Sequence, residues 1–278
     1  MSVRLAGGSY ALPPLIFDAQ TLASEVRLVG EEGAELRLIE GPSRRRLVPT
    51  AASSVLFTVR DGAPPVRLEN LRITGALQVD GGSLVISSCT LGRSSATLRA
   101  LSLSGGEVFV EHTTFCNTTS GGVGVTGGRL ELSDSVLRDN QAETGGALHV
   151  TGGNVRVARC RLENNRATVE GGGLHASGGA VELGNRTLLL GNTAPSGASI
   201  SATEASLSYV LPAPLARYVS ASLSNLQLFR KYAYCSYCSS LSPGICNERR
   251  HVPVSVCRLA YFLGLPILLP KSSRGQHI

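Results

Sequence analysis

An all-β solenoid, in which short strands of successive coils pair in parallel, is the fold class this sequence predicts. Three observations lead there. A Gly-Gly pair recurs at Gly81-Gly82, Gly105-Gly106, Gly127-Gly128, Gly152-Gly153 and Gly178-Gly179, at spacings of 24, 22, 25 and 26 residues, and self-similarity at such a period marks a stacked repeat. Short alternating apolar segments flank each pair, such as Leu77/Val79 and Leu84/Ile86 around the first and Leu148/Val150 and Val155/Val157 around the fourth. That alternation turns one side of each strand inward. Finally, the 278 residues include 32 Gly, one Met and no Trp, with 5% aromatic and 17% charged residues. A disordered chain is more charged and less apolar, and a helical bundle carries far fewer glycines.

In chain order, residues 1–60, with Val26-Arg27-Leu28 and Leu36-Arg37-Leu38, read as initial strands or an irregular cap. A solenoid needs such cover over its terminal apolar surface. Arg44-Arg45-Arg46 within this stretch reads as a solvated loop. Residues 61–205 carry the repeats, beginning with Val66, Leu68, Leu71 and Ile73. One unit cannot bury its own apolar side, whereas stacking at ~4.8 Å per coil builds a continuous core, and six or seven coils make a rod roughly 30 Å long. Residues 206–234, punctuated by Pro212 and Pro214, read as a linker or last edge strand. Residues 235–278 form a Cys-containing basic tail that is expected to be partly disordered.

Equal positions in stacked coils form columns. Cys89, Thr113, Ser135 and Cys160 share a small-residue column, with Thr187 displaced by one. Cys89 and Cys160 are three coils apart, about 14 Å, which is beyond disulfide reach and makes them buried fillers. Glu131, Arg156 and Glu182 should stack facing outward with alternating charge, as a register-setting device. Asn140, Asn165 and Asn192 should form an asparagine ladder at one corner, a structural role rather than a ligand site.

The later coils share a sharper signature. Leu137-Arg138-Asp139-Asn140 is followed by Ala142 and Gly145-Gly146-Ala147-Leu148. Leu162-Glu163-Asn164-Asn165 is followed by Ala167 and Gly172-Gly173-Leu174, and Leu189-Leu190-Gly191-Asn192 by Ala194 and Gly197-Ala198. This pattern resembles the right-handed parallel β-helix repeats of the pectin-lyase-like fold, and in particular the Phe-x-x-Asn and Gly-Gly-Ala-Ile repeats of polymorphic outer-membrane adhesins. Leu replaces Phe in most coils, so the resemblance, which covers about residues 60 to 205, implies the fold and not membership in that adhesin family. It implies no single activity, because the fold hosts lyases, hydrolases and adhesins alike.

Charge separates the chain into two parts. The net charge is +6, yet residues 1–204 carry 18 basic and 19 acidic side chains, and residues 205–278 carry 8 and 1. The body is neutral and has no electrostatic footprint for nucleic acid. The apolar run Leu259–Leu269 holds 11 residues and Pro266, too short to span a bilayer. No apolar run of signal-peptide length opens the chain. The expectation is a piece of a longer secreted or membrane protein, with any membrane attachment through regions outside this chain.

The outward columns offer few chemical groups. His149 and His175 hold matching outward positions on adjacent coils. Two imidazoles ~5 Å apart could share a metal, but their column offers Gly124 and no carboxylate, so solvated surface histidines are the preferred reading. Glu111, His112, Asp134 and Arg159 make the best polar cluster, which a solvated edge explains equally well. The paired-Asp, Asn-Thr-Asp and Gly-His-Gly strings of β-helix pectinases do not occur, and no catalytic residue, metal or cofactor is assigned. Asn117-Thr118-Thr119 and Asn185-Arg186-Thr187 are glycosylation sequons.

In the tail, Cys235, Cys238, Cys246 and Cys257 allow two readings, a zinc site of four thiolates or a small disulfide module. The tail loosely resembles the Cys-rich ephrin-receptor-like modules that follow β-helix repeats in some large surface proteins, which implies disulfides. The resulting expectation is a non-enzymatic β-helix domain of an extracellular or cell-surface protein, with a binding, adhesive or structural role toward an unidentified protein or glycan. The alternative is a polysaccharide lyase or glycoside hydrolase, against which the lack of Trp for sugar stacking counts.

Overall fold

The computed structural model describes residues 1–39, 55–92, 98–184 and 186–209. Every element there is a strand, and three long parallel sheets and one short one hold them all. The first sheet stacks nine strands, from Ser2–Leu5 and Val26–Gly30 through Ser83–Ser87, Glu107–Glu111, Arg129–Ser133 and Asn154–Ala158 to Ser206–Tyr209. The second stacks eight, from Gly8–Leu12 to Leu188–Leu190, and the third eight, from Leu15–Phe17 to Ile200–Ala202. Each coil visits the three sheets in turn, so the chain is a parallel β-solenoid. At ~4.8 Å per strand the first sheet is roughly 38 Å long. The same sheets take in residues ahead of 61 and residues 206–209, the stretches read from sequence as initial strands or an irregular cap and as a linker or last edge strand.

Register follows the period-two pattern. Leu84, Val108, Leu130, Val155 and Val181 pair in one inward column. Ile73, Leu91, Phe115, Leu137, Leu162 and Leu189 line another in the second sheet. These side chains merge into one core along the rod, nearly all of them 0–3% exposed. At the first coils Phe17 and Phe57 stack with centroids 6.0 Å apart. A one-residue slip would turn a whole column to solvent.

Each corner has its own device. Between the first and second sheets, Ser88, His112, Asp134 and Arg159 adopt φ of 53°, 49°, 49° and 56°. The following residue, Cys89, Thr113, Ser135 or Cys160, turns inward and is at most 2% exposed. The Cys89 N–H donates to Thr113 Oγ1 at 3.3 Å, and the Thr113 N–H to Ser135 Oγ at 3.1 Å. Between the second and third sheets the αL residues are Asn117, Asp139 and Asn164, and Thr118, Asn140, Asn165 and Asn192 follow the corner. Asn140 Nδ2 donates to Asn165 Oδ1 at 3.0 Å, and Asn165 Nδ2 to Asn192 Oδ1 at 3.0 Å. Each Oδ1 also accepts the preceding coil's backbone N–H, and each amide donates back to a carbonyl, Phe115, Leu137 or Leu162. Thr118 extends the ladder by donating its hydroxyl to Asn140 Oδ1 at 2.8 Å.

The Gly-Gly pairs turn the chain from the third sheet back to the first, and the two glycines of a pair are needed for different reasons. At Gly152 a Cβ would collide with the Thr126 carbonyl oxygen of the coil below. Gly153 has φ 78°, and a Cβ there would stand 2.6 Å from the Gly128 carbonyl oxygen.

Two outcomes are expected in urea unfolding. Asn165→Ala strands a buried N–H, an amide and two acceptors, which should destabilise by about 3 kcal/mol or more. Gly153→Ala should cost at least about 2 kcal/mol from φ strain plus overlap, whereas Gly33→Ala, at φ 84° with nothing within 4 Å, should cost only the strain, about 1 kcal/mol. Equal midpoints for the two glycine variants would contradict the contact between coils.

Candidate functional site

The outward side of the third sheet carries the column Gln78, Ser102, Gly124, His149, His175 and Ser201. Beside it two arms, Gln141–Thr144 and Arg166–Glu170, form a short fourth sheet of their own. They follow the asparagine corner, where the longer coils have residues to spare. Arg99, just ahead of the strand Leu101–Leu103, lays its side chain across the gap left by Gly124. A Cβ at Gly124 would stand 2.6 Å from Arg99 Cδ. The guanidinium reaches the arm beyond, where Nη1 donates to the Gly145 carbonyl at 2.8 Å and Nη2 to the Thr144 carbonyl at 2.7 Å. Nη2 also lies 2.9 Å from His149 Nδ1. Arg99 can only donate, so Nδ1 accepts and the proton of the neutral ring resides on Nε2.

Burial lowers the Arg99 pKa to about 10. His149 is lowered to about 4, first by burial and then by the positive charges of Arg99 and His175. The two imidazoles meet edge to face with centroids 5.1 Å apart. His175 is not a solvated surface side chain, as its alternating position suggests; it is 6% exposed. The reason is the arm, whose Gly171 lies so close that a Cβ there would stand 2.7 Å from His175 Cβ. His175 Nδ1 is buried without a hydrogen-bond partner, 3.7 Å from Glu170 Oε1, while Glu170 Oε2 accepts the Ser201 hydroxyl at 2.7 Å. Among the described residues no group of three or more His, Cys, Asp or Glu side chains is placed to hold a metal ion.

Next to Arg99 and His149 the face opens into a cleft of about 270 Å³. Its far margin is the residue after each third-sheet strand, Asp80, Ser104, Thr126 and Thr151. The Asp80 carboxylate accepts from Gln78 Nε2 at 2.9 and 3.0 Å and from Ser104 Oγ at 2.9 Å. A larger hollow of about 390 Å³ lies on the outer face of the first sheet, but its charges are paired. Arg156 meets Glu182 at 3.4 Å, and Glu131 takes Arg129 of its own strand instead of Arg156. The expected stack of Glu131, Arg156 and Glu182 thus closes only at its second step.

The cluster of Glu111, His112, Asp134 and Arg159 is a corner. Arg159 holds Asp134 through two bonds of 2.8 and 2.6 Å, which lower the Asp134 carboxyl pKa, and Glu111 accepts the Ser87 hydroxyl at 3.2 Å. Cys89 and Cys160 are free thiols in the core, and burial pushes both to about 11. Asn117 is exposed at its corner. Asn185, Arg44-Arg45-Arg46 and the candidate disulfide residues Cys235, Cys238, Cys246 and Cys257 lie outside the described residues. Arg99 and Glu170 carry no repeat signature. Arg99 fills a repeat position where the next two coils carry Gly121 and Gly146, and its partners are 45 to 50 residues away.

The sign of the pH dependence follows from His149. Its imidazole titrates near 6.5 when unperturbed and near 4 in the fold, so between those values the unfolded chain holds the extra proton. Stability from this site is complete above 6.5 and is lost as pH falls from 6.5 toward 4. In an NMR titration, Arg99→Met is expected to raise the His149 midpoint toward its ordinary value and to flatten that limb of the urea stability curve. An unchanged midpoint would show that Arg99 does not act on the ring.

No protein-family model, no curated protein and no solved structure matches this chain.

Proposed function

We propose that this chain is a non-enzymatic binding domain of an extracellular or cell-surface protein, a rigid β-solenoid whose outer faces engage a protein or glycan. One observation carries the reading. On the outer faces, ion pairs tie charged side chains together, across coils as in Arg27 with Glu69 at 2.7 Å and Arg159 with Asp134 at 2.6 Å, and within a strand as in Arg161 with Glu163 at 2.7 Å. Such faces are regular, preorganised surfaces that recognise shape and hydrogen-bonding pattern at little ordering cost. In the cleft, Arg99 is engaged with two carbonyl oxygens and His149, and Asp80 with an amide and a hydroxyl. Those bonds hold the two groups in place and leave neither poised to transfer a proton. The neutral body supports a partner other than nucleic acid. The surface location rests on the adhesin-like repeats and on the Cys-rich tail.

Beads coated with the full chain are expected to be retained saturably on cell or matrix surfaces at physiological salt, whereas beads carrying an unrelated protein of equal net charge are not. Absence of saturable retention rejects the binding role. Release of unsaturated uronate product from polygalacturonate with Ca²⁺ present would replace it with a lyase.

A further inference from the structure

Two opposite charges face the third-sheet cleft with no ion-pair partner among the described residues, Arg99 and Asp80. The carbonyl, imidazole, amide and hydroxyl groups bonded to them orient these charges and cancel neither. The first sheet differs, since there Arg27, Arg67, Arg129 and Arg156 each have a glutamate. Arg99 precedes the strand Leu101–Leu103, and Asp80 follows the strand Ala76–Val79. The Arg99 guanidinium reaches Gly145 and His149, however, so the two charges stand three coils apart, roughly 14 Å at ~4.8 Å per coil. Between them the Arg99 stem lies over Gly124, where the column lacks a side chain of its own.

We infer that this cleft binds an extended segment of a protein partner that presents one acidic side chain to Arg99 and one basic side chain to Asp80. The inference rests on the binding role proposed above and assigns it a site and a ligand class. In an extended segment, side chains four residues apart share a face at ~13 Å, and the long stem of a lysine or arginine spans the remainder. The Gln78 amide and the Ser102 and Thr151 hydroxyls are donors and acceptors suited to the segment's peptide groups. A ligand bearing only negative charge meets repulsion from Asp80. Among the described residues no Phe, Tyr or Trp lines the cleft, so a sugar ring finds no aromatic platform there.

The probe is a blocked peptide Ala-Glu-Ala-Ala-Ala-Lys-Ala, titrated into the full chain at low salt and followed through the His149 ring resonances. A saturable shift is expected, with half-saturation in the low-millimolar range that a few exposed polar contacts support. Replacing either charged peptide residue by Gln should weaken binding about threefold or more. Asp80→Asn should weaken it by a similar factor. Arg99→Gln should weaken it further, but that variant also loses contacts to the arm, so Asp80→Asn, which alters only an exposed side chain, is the deciding variant.

The effect of Asp80→Asn has opposite signs for the competing ligands. If triglutamate or trigalacturonate binds more tightly than the dipolar peptide, and Asp80→Asn strengthens it, the site is an anion or acidic-glycan site and the inference falls. It also falls if no peptide produces a saturable shift. Bead retention that persists in that case places the binding role on another face, whereas loss of wild-type retention removes the role itself.

Discussion

Coil-on-coil register is the constraint on which the rest of this structure depends. In a parallel solenoid the strand edges of one coil are met only by the coils above and below. A slip of one residue would both misplace the ladder and turn every core side chain outward. The coils nevertheless differ in length, because the Gly-Gly pairs recur at 22 to 26 residues. The surplus has to be absorbed outside the strands, with the strands returned to phase each time. The corners do this. The αL residues at two corners fix the change of direction. The asparagine ladder then ties each coil to the next through side chain and backbone at once, and the Gly-Gly pairs allow the backbones to touch at the third.

The polar groups of the outer face inherit that register. His149 and His175 are neighbours because Leu148 and Leu174 are paired beneath them. The surplus residues of those coils form the arms, and the arms bury what strand alternation alone would leave wet. Arg99 spans the coil of Gly124 to bond the arm and His149. This brings a cation, a neutral imidazole and a second imidazole with an unpartnered nitrogen into contact. Such an arrangement is held by the rigidity of the stack, since each group taken alone would find water a better partner.

Much of this was legible in the chain. The inward columns, the parallel pairing and the asparagine corner follow from alternation and from repeats of a single phase, because in a solenoid residues one repeat apart are also neighbours in space. Legibility ended at single residues and at segments of variable length. Arg99 is a lone long side chain at a repeat position where the next two coils carry Gly121 and Gly146. Glu170 sits in an arm whose length varies between coils. His175 reads as solvated, because alternation reports which side of a strand a residue occupies and not whether another segment covers that side. The partial Glu131–Arg156–Glu182 stack has a similar cause. Arg129, two residues before Glu131 on the same face of its strand, competes for the carboxylate, and periodicity does not rank two donors within reach of one acceptor.

The sequence by itself determined the class of fold, the identity of the core columns and the neutrality of the body, because these depend on pattern and composition summed over many coils. Only the tertiary structure decided which outward side chains are buried, which charges are paired and where a cleft opens. Those depend on single contacts made across two or three coils by individual side chains and by arms of variable length, and no repeat in the chain encodes them.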